Sequence, residues 1–434
     1  VTDGGSLNTV IGQASGNVLT TGSSNILMGY ESGSGLQTGN ANVIIGSCGG
    51  KGVTSGGCNV YIGTRTANCG NGSRNIMIGK MAGCLAASGD DQIFLGCYAG
   101  KQATGNSNII MGLKAGCCVT TGSNNIYLGA YTASQCTATG HKNVVIGCGA
   151  GRYNESGCCN VYMGYRAGYG STDASHDIFI GTCAGTQTAN QCSMTGYNIA
   201  IGYMAGFELG CSSSNNPNSN IMIGCCAGQS WNNAAGAGDH NVFIGSKSGC
   251  VTSGGCNAAV GMCAGASSGG SHNASLGFKA GYNSWGWYNV NVGWCAGSGG
   301  SGHKCNVSVG AAAGKSLTYG GDFNTFVGYG AGCNVTTGDH NIAIGQNVQL
   351  PSATGDKQFA IGCGTDRWLT GDSDYVVTSG AALEAGTFFQ NATALAANTT
   401  FPASGTKNGG VFGPYTINSS VTLTISSGST FTII

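Results

Sequence analysis

The sequence predicts an all-β protein, a parallel β-solenoid or β-roll of about 21 coils of 16–22 residues each. Three observations predict it. Glycines closing an N-x-x-[aliphatic]-G unit recur from Gly12 to Gly362, 16 to 18 residues apart except for steps of 21 to 22 between Gly181 and Gly245. The three residues before each of these anchor glycines are mostly apolar, with Ile and Val frequent, as in NVYIG and NIMIG. Asparagine stands four residues before the anchor in 18 of 21 units. Repetition at a fixed period is the mark of an array in which each unit buries its face only against its neighbours.

Each coil begins with a short strand. The residue before the anchor is aliphatic in every unit, and the one two places earlier is usually Ile or Val. Alternation at period two then places this pair on one face, taken as the inner one, with Ala at three after the anchor (Ala82, Ala99, Ala115, Ala184, Ala264) on the opposite wall. The middle residue is expected to face outward, and it too is apolar: Tyr61, Met77, Phe94, Ile110, Tyr127, Tyr162, Phe179 and Phe243. Such a stripe is not left in water on a rod, so the expectation is an oligomer interface and a parallel homotrimer.

Stacked coils hold equivalent residues about 4.8 Å apart. The asparagines Asn8, Asn25, Asn42, Asn59, Asn75, Asn108, Asn125, Asn143 and Asn160 are therefore expected to form a structural ladder of amide hydrogen bonds. Glycines at the anchor, four residues after it and in the T-G turn suit coil corners. The repeat rod spans residues 1–370. Residues 371–434, ending YTINSSVTLTISSGSTFTII, alternate β-branched residues with Ser and Thr and read as a small β-rich cap, tip or connector.

Composition excludes several functions. Sixteen Lys and Arg balance 16 Asp and Glu, and charged residues are only 7% of the chain, too few to neutralise a row of phosphates. Nucleic acid is not an expected partner. No apolar run reaches the roughly 20 residues of a membrane span, so no membrane insertion is expected. The 23 cysteines recur in a few slots that other units fill with Ser, Ala, Thr or Lys, so they read as small packing residues rather than disulfide or zinc ligands.

Catalytic chemistry leaves little trace. Glutamates occur only at Glu31, Glu155, Glu208 and Glu384, far apart in the stack, so no carboxylate pair for glycoside hydrolysis is apparent. No catalytic residue and no cofactor is expected. No metal site is expected either: His240, Cys256 and His272 stand five before three successive anchors and could line up as a ligand column, but the slot is a tolerant turn position that also takes Ser and Arg. Trp231, Trp285, Trp287 and Trp294 offer sugar-stacking or interface surface.

The units NVIIGSCGG, NIMIGKMAG and NVVIGCGAG, with TTGSSN and TTGSNN between them, resemble the head repeats of trimeric autotransporter adhesins. They are still more similar to the repeat arrays of bacteriophage tail-fibre and other virion structural proteins of marine cyanobacterial phages. The resemblance covers about residues 8 to 365. It implies a non-enzymatic virion fibre, assembled in the host cytoplasm and exposed on the particle. Its implied partners are its own copies, other virion proteins and a host-surface glycan or protein. The alternative it leaves is a bacterial surface adhesin or extracellular fibre subunit; the longer repeat and the lack of a heptad stalk or barrel anchor favour the virion reading.

Overall fold

The computed structural model describes residues 5–86, 88–135, 138–187, 196–208, 218–229, 238–300, 302–374 and 377–379, and four short strands near the C-terminus. Twenty three-residue strands, from β1 (Thr9–Ile11) to β20 (Ile342–Ile344), each occupy the three positions before an anchor glycine. Every one pairs in parallel and in register with the strand of the next coil, as Ile76, Met77 and Ile78 do with Ile93, Phe94 and Leu95. β21 (Phe359–Cys363) continues the ladder, and the direction then reverses. β22 (Asp366–Gly371) lies antiparallel on β21 with a bulge at Ile361/Gly362, and β23 (Val377–Ser379) lies antiparallel on β22. The antiparallel pair covers the sheet edge that the last coil leaves open. Within 371–434, β24 (Ala394–Leu395) pairs with β26 (Thr416–Ile417) and β25 (Thr399–Phe401) with β27 (Leu423–Ile425). The rest of the expected cap lies outside the described residues.

Coils this tight turn sharply at two fixed slots, five before and two after the anchor, where non-glycine residues take left-handed backbone: Arg74 at φ 61° and Met81 at φ 58° are one such pair. The conformation is unfavourable for a side chain. Here it aims the N–H along the rod, so that Arg74 donates to Gly57 O at 2.9 Å and Met81 to Thr64 O at 3.0 Å in the preceding coil. The anchor needs glycine for a different reason. Gly79 sits at φ 133°, and a Cβ there would lie 2.5 Å from the carbonyl oxygen of Gly96.

The facing of the strands is the reverse of the sequence expectation. Tyr61, Met77, Phe94, Ile110, Tyr127, Tyr162, Phe179 and Phe243 do not form an outer stripe: each is at most 3% exposed and fills the coil interior. The aliphatic residues on either side of them point outward, Ile76 and Ile78 at 38% each. Parity explains it. The buried Asn four before the anchor and the residue two before it share one face of the strand.

The interior of a coil has three slots, and in several coils the volumes of two of them compensate. Ala fills the one three after the anchor in most coils, with Ser, Thr, Gly or Val in the others. Leu27 faces Leu36, Ile44 faces Val53 and Ile110 faces Val119, whereas the larger Phe94 faces Ala103 and Tyr162 faces Ser171. Rings in successive coils stack where they coincide, as Tyr162 and Phe179 do at 5.1 Å and 7°. The apolar core runs from Leu19 to Ala264 and resumes from Ala313 to Ala360.

Candidate functional site

The largest feature on the outside of the rod is the strand face itself. Positions three and one before the anchor alternate with buried ones, so they form two parallel columns down the sheet. The first contains Ile26, Ile76, Val290 and Ile342, and the second Met28, Ile78, Met111 and Ile344, all among the more exposed residues of the face. No charged residue enters either column in any of the 21 units. Three residues wide and 21 strands long, the strip measures roughly 10 Å by 100 Å, or about 1,000 Å². A typical monomer exposes no apolar patch beyond about 300–600 Å².

Beside this strip runs the column five before the anchor, which holds exposed rings in its later part. His272 stacks on Tyr288 at 4.9 Å and Phe323 on His340 at 4.9 Å, and His176 stacks on Tyr197 at 4.8 Å farther back. On the other side, Phe278 and Trp294, one after their anchors, lie 6.4 Å apart and nearly parallel. Trp287 takes the Lys304 ammonium over its ring at 5.0 Å, and Trp285 donates its indole N–H to Ser267 O at 2.9 Å. Trp231 lies outside the described residues.

The asparagine column is a ladder with two kinds of rung. Asn125 Oδ1 accepts the backbone N–H of Asn143 in the next coil at 2.9 Å. Its Nδ2 donates both to Asn108 Oδ1 in the preceding coil, at 3.2 Å, and to the Gly140 carbonyl of the next turn, at 2.9 Å. Asn8, Asn25, Asn42, Asn59, Asn75, Asn143 and Asn160 repeat the pattern of backbone N–H to Oδ1 and Nδ2 to a turn carbonyl. Gln92 bonds to the Gly105 carbonyl in the same manner. Asp177 stands in this column with a carboxyl instead of an amide, and burial pushes its pKa up to about 7. A second ladder, which the sequence reading missed, runs six before the anchor. There a side-chain oxygen accepts the backbone N–H of the preceding coil, as from Ser73 to Asp90 at 2.8 Å, from Asp322 to Asp339 at 2.7 Å and from Asp339 to Asp356 at 2.8 Å. The recurrence of Ser, Asn and Asp in that slot was the available signal.

The structure stacks His240, Cys256 and His272 in successive coils of one column, each with left-handed backbone at φ 58°, 58° and 63°. They do not converge: the His272 ring lies against Tyr288. Among the described residues no three His, Cys, Asp or Glu side chains are grouped to hold a metal ion. The 20 described cysteines carry free thiols. Cys117 and Cys118 lie 3.5 Å apart, and both donate to Ser134 O. Burial, and then the neighbouring thiol, push Cys117 up to about 12, far from a reactive thiolate. Glu31 pairs with Lys51 at 2.7 Å and Arg74 with Asp91 at 2.6 Å, all solvent-facing. Their carboxylates answer cations and do not face each other across a cleft. No helix among the described residues is long and apolar enough to cross a membrane.

No family model matches the chain, and none of the curated proteins is similar to it.

Proposed function

We propose that the protein is a structural, non-enzymatic subunit of a virion fibre, a tail fibre or related appendage, in which parallel copies associate as a homotrimer through the aliphatic strand face. The observation that carries the reading is the uncharged two-column strip along the whole ladder. Its roughly 1,000 Å² exceeds the ~800 Å² that each partner commonly contributes to a stable interface. Its ridges repeat at the rung spacing of the sheet, about 4.8 Å. A surface with that repeat is best matched by another copy running the same way, so ridges of one chain seat between ridges of the next along the full length.

Stiffness follows from the same construction. Backbone ladders and the Asn column bond each coil to the next along the axis, while side chains such as Tyr162 and Phe179 continue the core from coil to coil. Such a rod spaces a recognition element from the particle, and several parallel tips make weak contacts with a host-surface glycan or protein effective through avidity. The stacked and cation-bearing rings from His272 to His340 are the surface best suited to such a contact.

Cryo-EM of the native particle or filament that carries this chain tests the proposal. Three parallel chains, joined through the strand faces and attached to a tail or capsid, are the expected result. End-to-end polymers without a particle would overturn the virion reading in favour of a self-assembling extracellular fibre, and chains joined through another face would overturn the interface.

A further inference from the structure

Between the two apolar cores the coil interior changes chemistry. The slot two before the anchor holds Ala259, Ser275, Asn291 and Ser308 in four successive coils, where most other coils hold Leu, Ile, Met, Phe, Tyr or Val. In the first three of these coils the slot seven after the anchor does not compensate, because Ser268, Ser284 and Gly300 stand there; in the fourth, Leu317 fills the space opposite Ser308. Volume is therefore lost on both walls at once, which happens in none of the large-and-small pairs described above. A cavity of about 10 Å³ results, lined by Phe243, Ser268, Ser275, Ser284 and Asn291 among others.

The polar groups around it are incompletely paired. Asn291 is 1% exposed, and neither its Oδ1 nor its Nδ2 has a protein partner. Ser308 Oγ in the next coil and Nδ1 of the buried His303 are likewise unpaired, while the other ring nitrogen of His303 lies 3.3 Å from Ser284 Oγ. Asn291 is in register with Ser275 on one side and Ser308 on the other. A buried amide left without a partner is destabilising, whereas a water with two to four polar partners is a stable part of a protein interior. About 10 Å³ is near the smallest volume that admits one water molecule.

We infer that the interior of the coils anchored by Gly261, Gly277 and Gly293 is an internal hydration site, in which ordered water bonds the amide of Asn291 and bridges it to Ser275. The water joins two dry cores and makes the segment between them the wet joint of the rod. The unpaired Nδ1 of His303 and Oγ of Ser308 extend the polar lining toward the coil anchored by Gly310.

A high-resolution structure of the wild-type protein in its native assembly is the first test. Density within hydrogen-bonding distance of Asn291 and Ser275, inside the coil, is the expected result. A dry interior, with the Asn291 amide turned to bond Ser275 or Ser308 directly, would overturn the inference. A second measurement does not depend on the map. Water-¹⁷O relaxation dispersion, which detects long-lived internal water, is expected to lose signal in the double variant Ser275→Ala, Asn291→Leu, whose melting temperature rises as the cavity becomes apolar and filled. An unchanged dispersion in a folded variant would also overturn it.

Discussion

Asp177 accepts the backbone N–H of Asn198, one coil onward, at 2.8 Å through Oδ1, while its buried Oδ2 has no partner. In the neighbouring coils that second position is an amide Nδ2 donating to a turn carbonyl. A protonated carboxyl is the closest mimic of an amide, and burial holds the folded-state pKa up at about 7.

Stability should therefore depend on pH in a definite sense. The folded pKa lies above that of the unfolded chain, so between the ordinary carboxylate range and about 7 the folded state holds a proton that the unfolded state has lost. The stabilisation is complete at low pH and declines as pH rises toward 7, by a total on the order of 4 kcal/mol. Thermal melts of the wild type should show a lower melting temperature at about pH 8 than at about pH 5. Asp177→Asn should be flat over the same window and more stable above it. An Asp177→Asn protein that keeps the wild-type slope would show that the carboxyl is not its source.

Removing one amide from the ladder should be costly. Asn125→Leu keeps the branched shape and the number of side-chain heavy atoms but strands the Asn143 N–H and the Gly140 carbonyl, both of which Asn125 satisfies. Each buried polar group left unpaired costs about 1–3 kcal/mol, so a loss of roughly 2–6 kcal/mol is expected in chemical denaturation. Hydrogen exchange should locate the damage in the coils next to Asn125. A loss under 1 kcal/mol would mean that the ladder adds little beyond the backbone sheet.

The two faces of a strand should respond oppositely to substitution. Phe94 is fully buried, and Phe94→Ala should destabilise the chain by about 3–5 kcal/mol without altering what it associates with. Ile76→Lys with Ile78→Lys, on the outer columns, should leave the circular dichroism of the coil unchanged and shift the assembly toward monomer in light scattering. If the double lysine variant assembles as the wild type does, the strand face is not the interface.

Much of this architecture is legible in the sequence because it is periodic. The strand before each anchor, the inward Ala three after it and the Asn column all follow from spacing, since a residue recurring once per coil has no other neighbour than its own copy. The facing of the strand was harder to read. Val, Ile and Tyr occupy adjacent positions in units such as NVYIG, and a parallel strand that is apolar on both faces shows no polar alternation. Parity with the buried Asn was the available clue. The three candidate ligands show a related limit: register places His240, Cys256 and His272 one above another, but the direction of each side chain depends on neighbours such as Tyr288.

By itself the sequence determined the coil, its period, its parallel stacking and the ladder of amides, because each is a local pattern repeated until only one register satisfies it. Only the tertiary structure decided which apolar column is core and which is surface, since that depends on the direction in which the chain curls between strands. It alone paired Asp177 with Asn198 across the 21-residue step between them, and left Asn291 without a partner. A side chain's hydrogen bonds and the volume around it are fixed by the coils above and below, and those meet it only after the chain has closed.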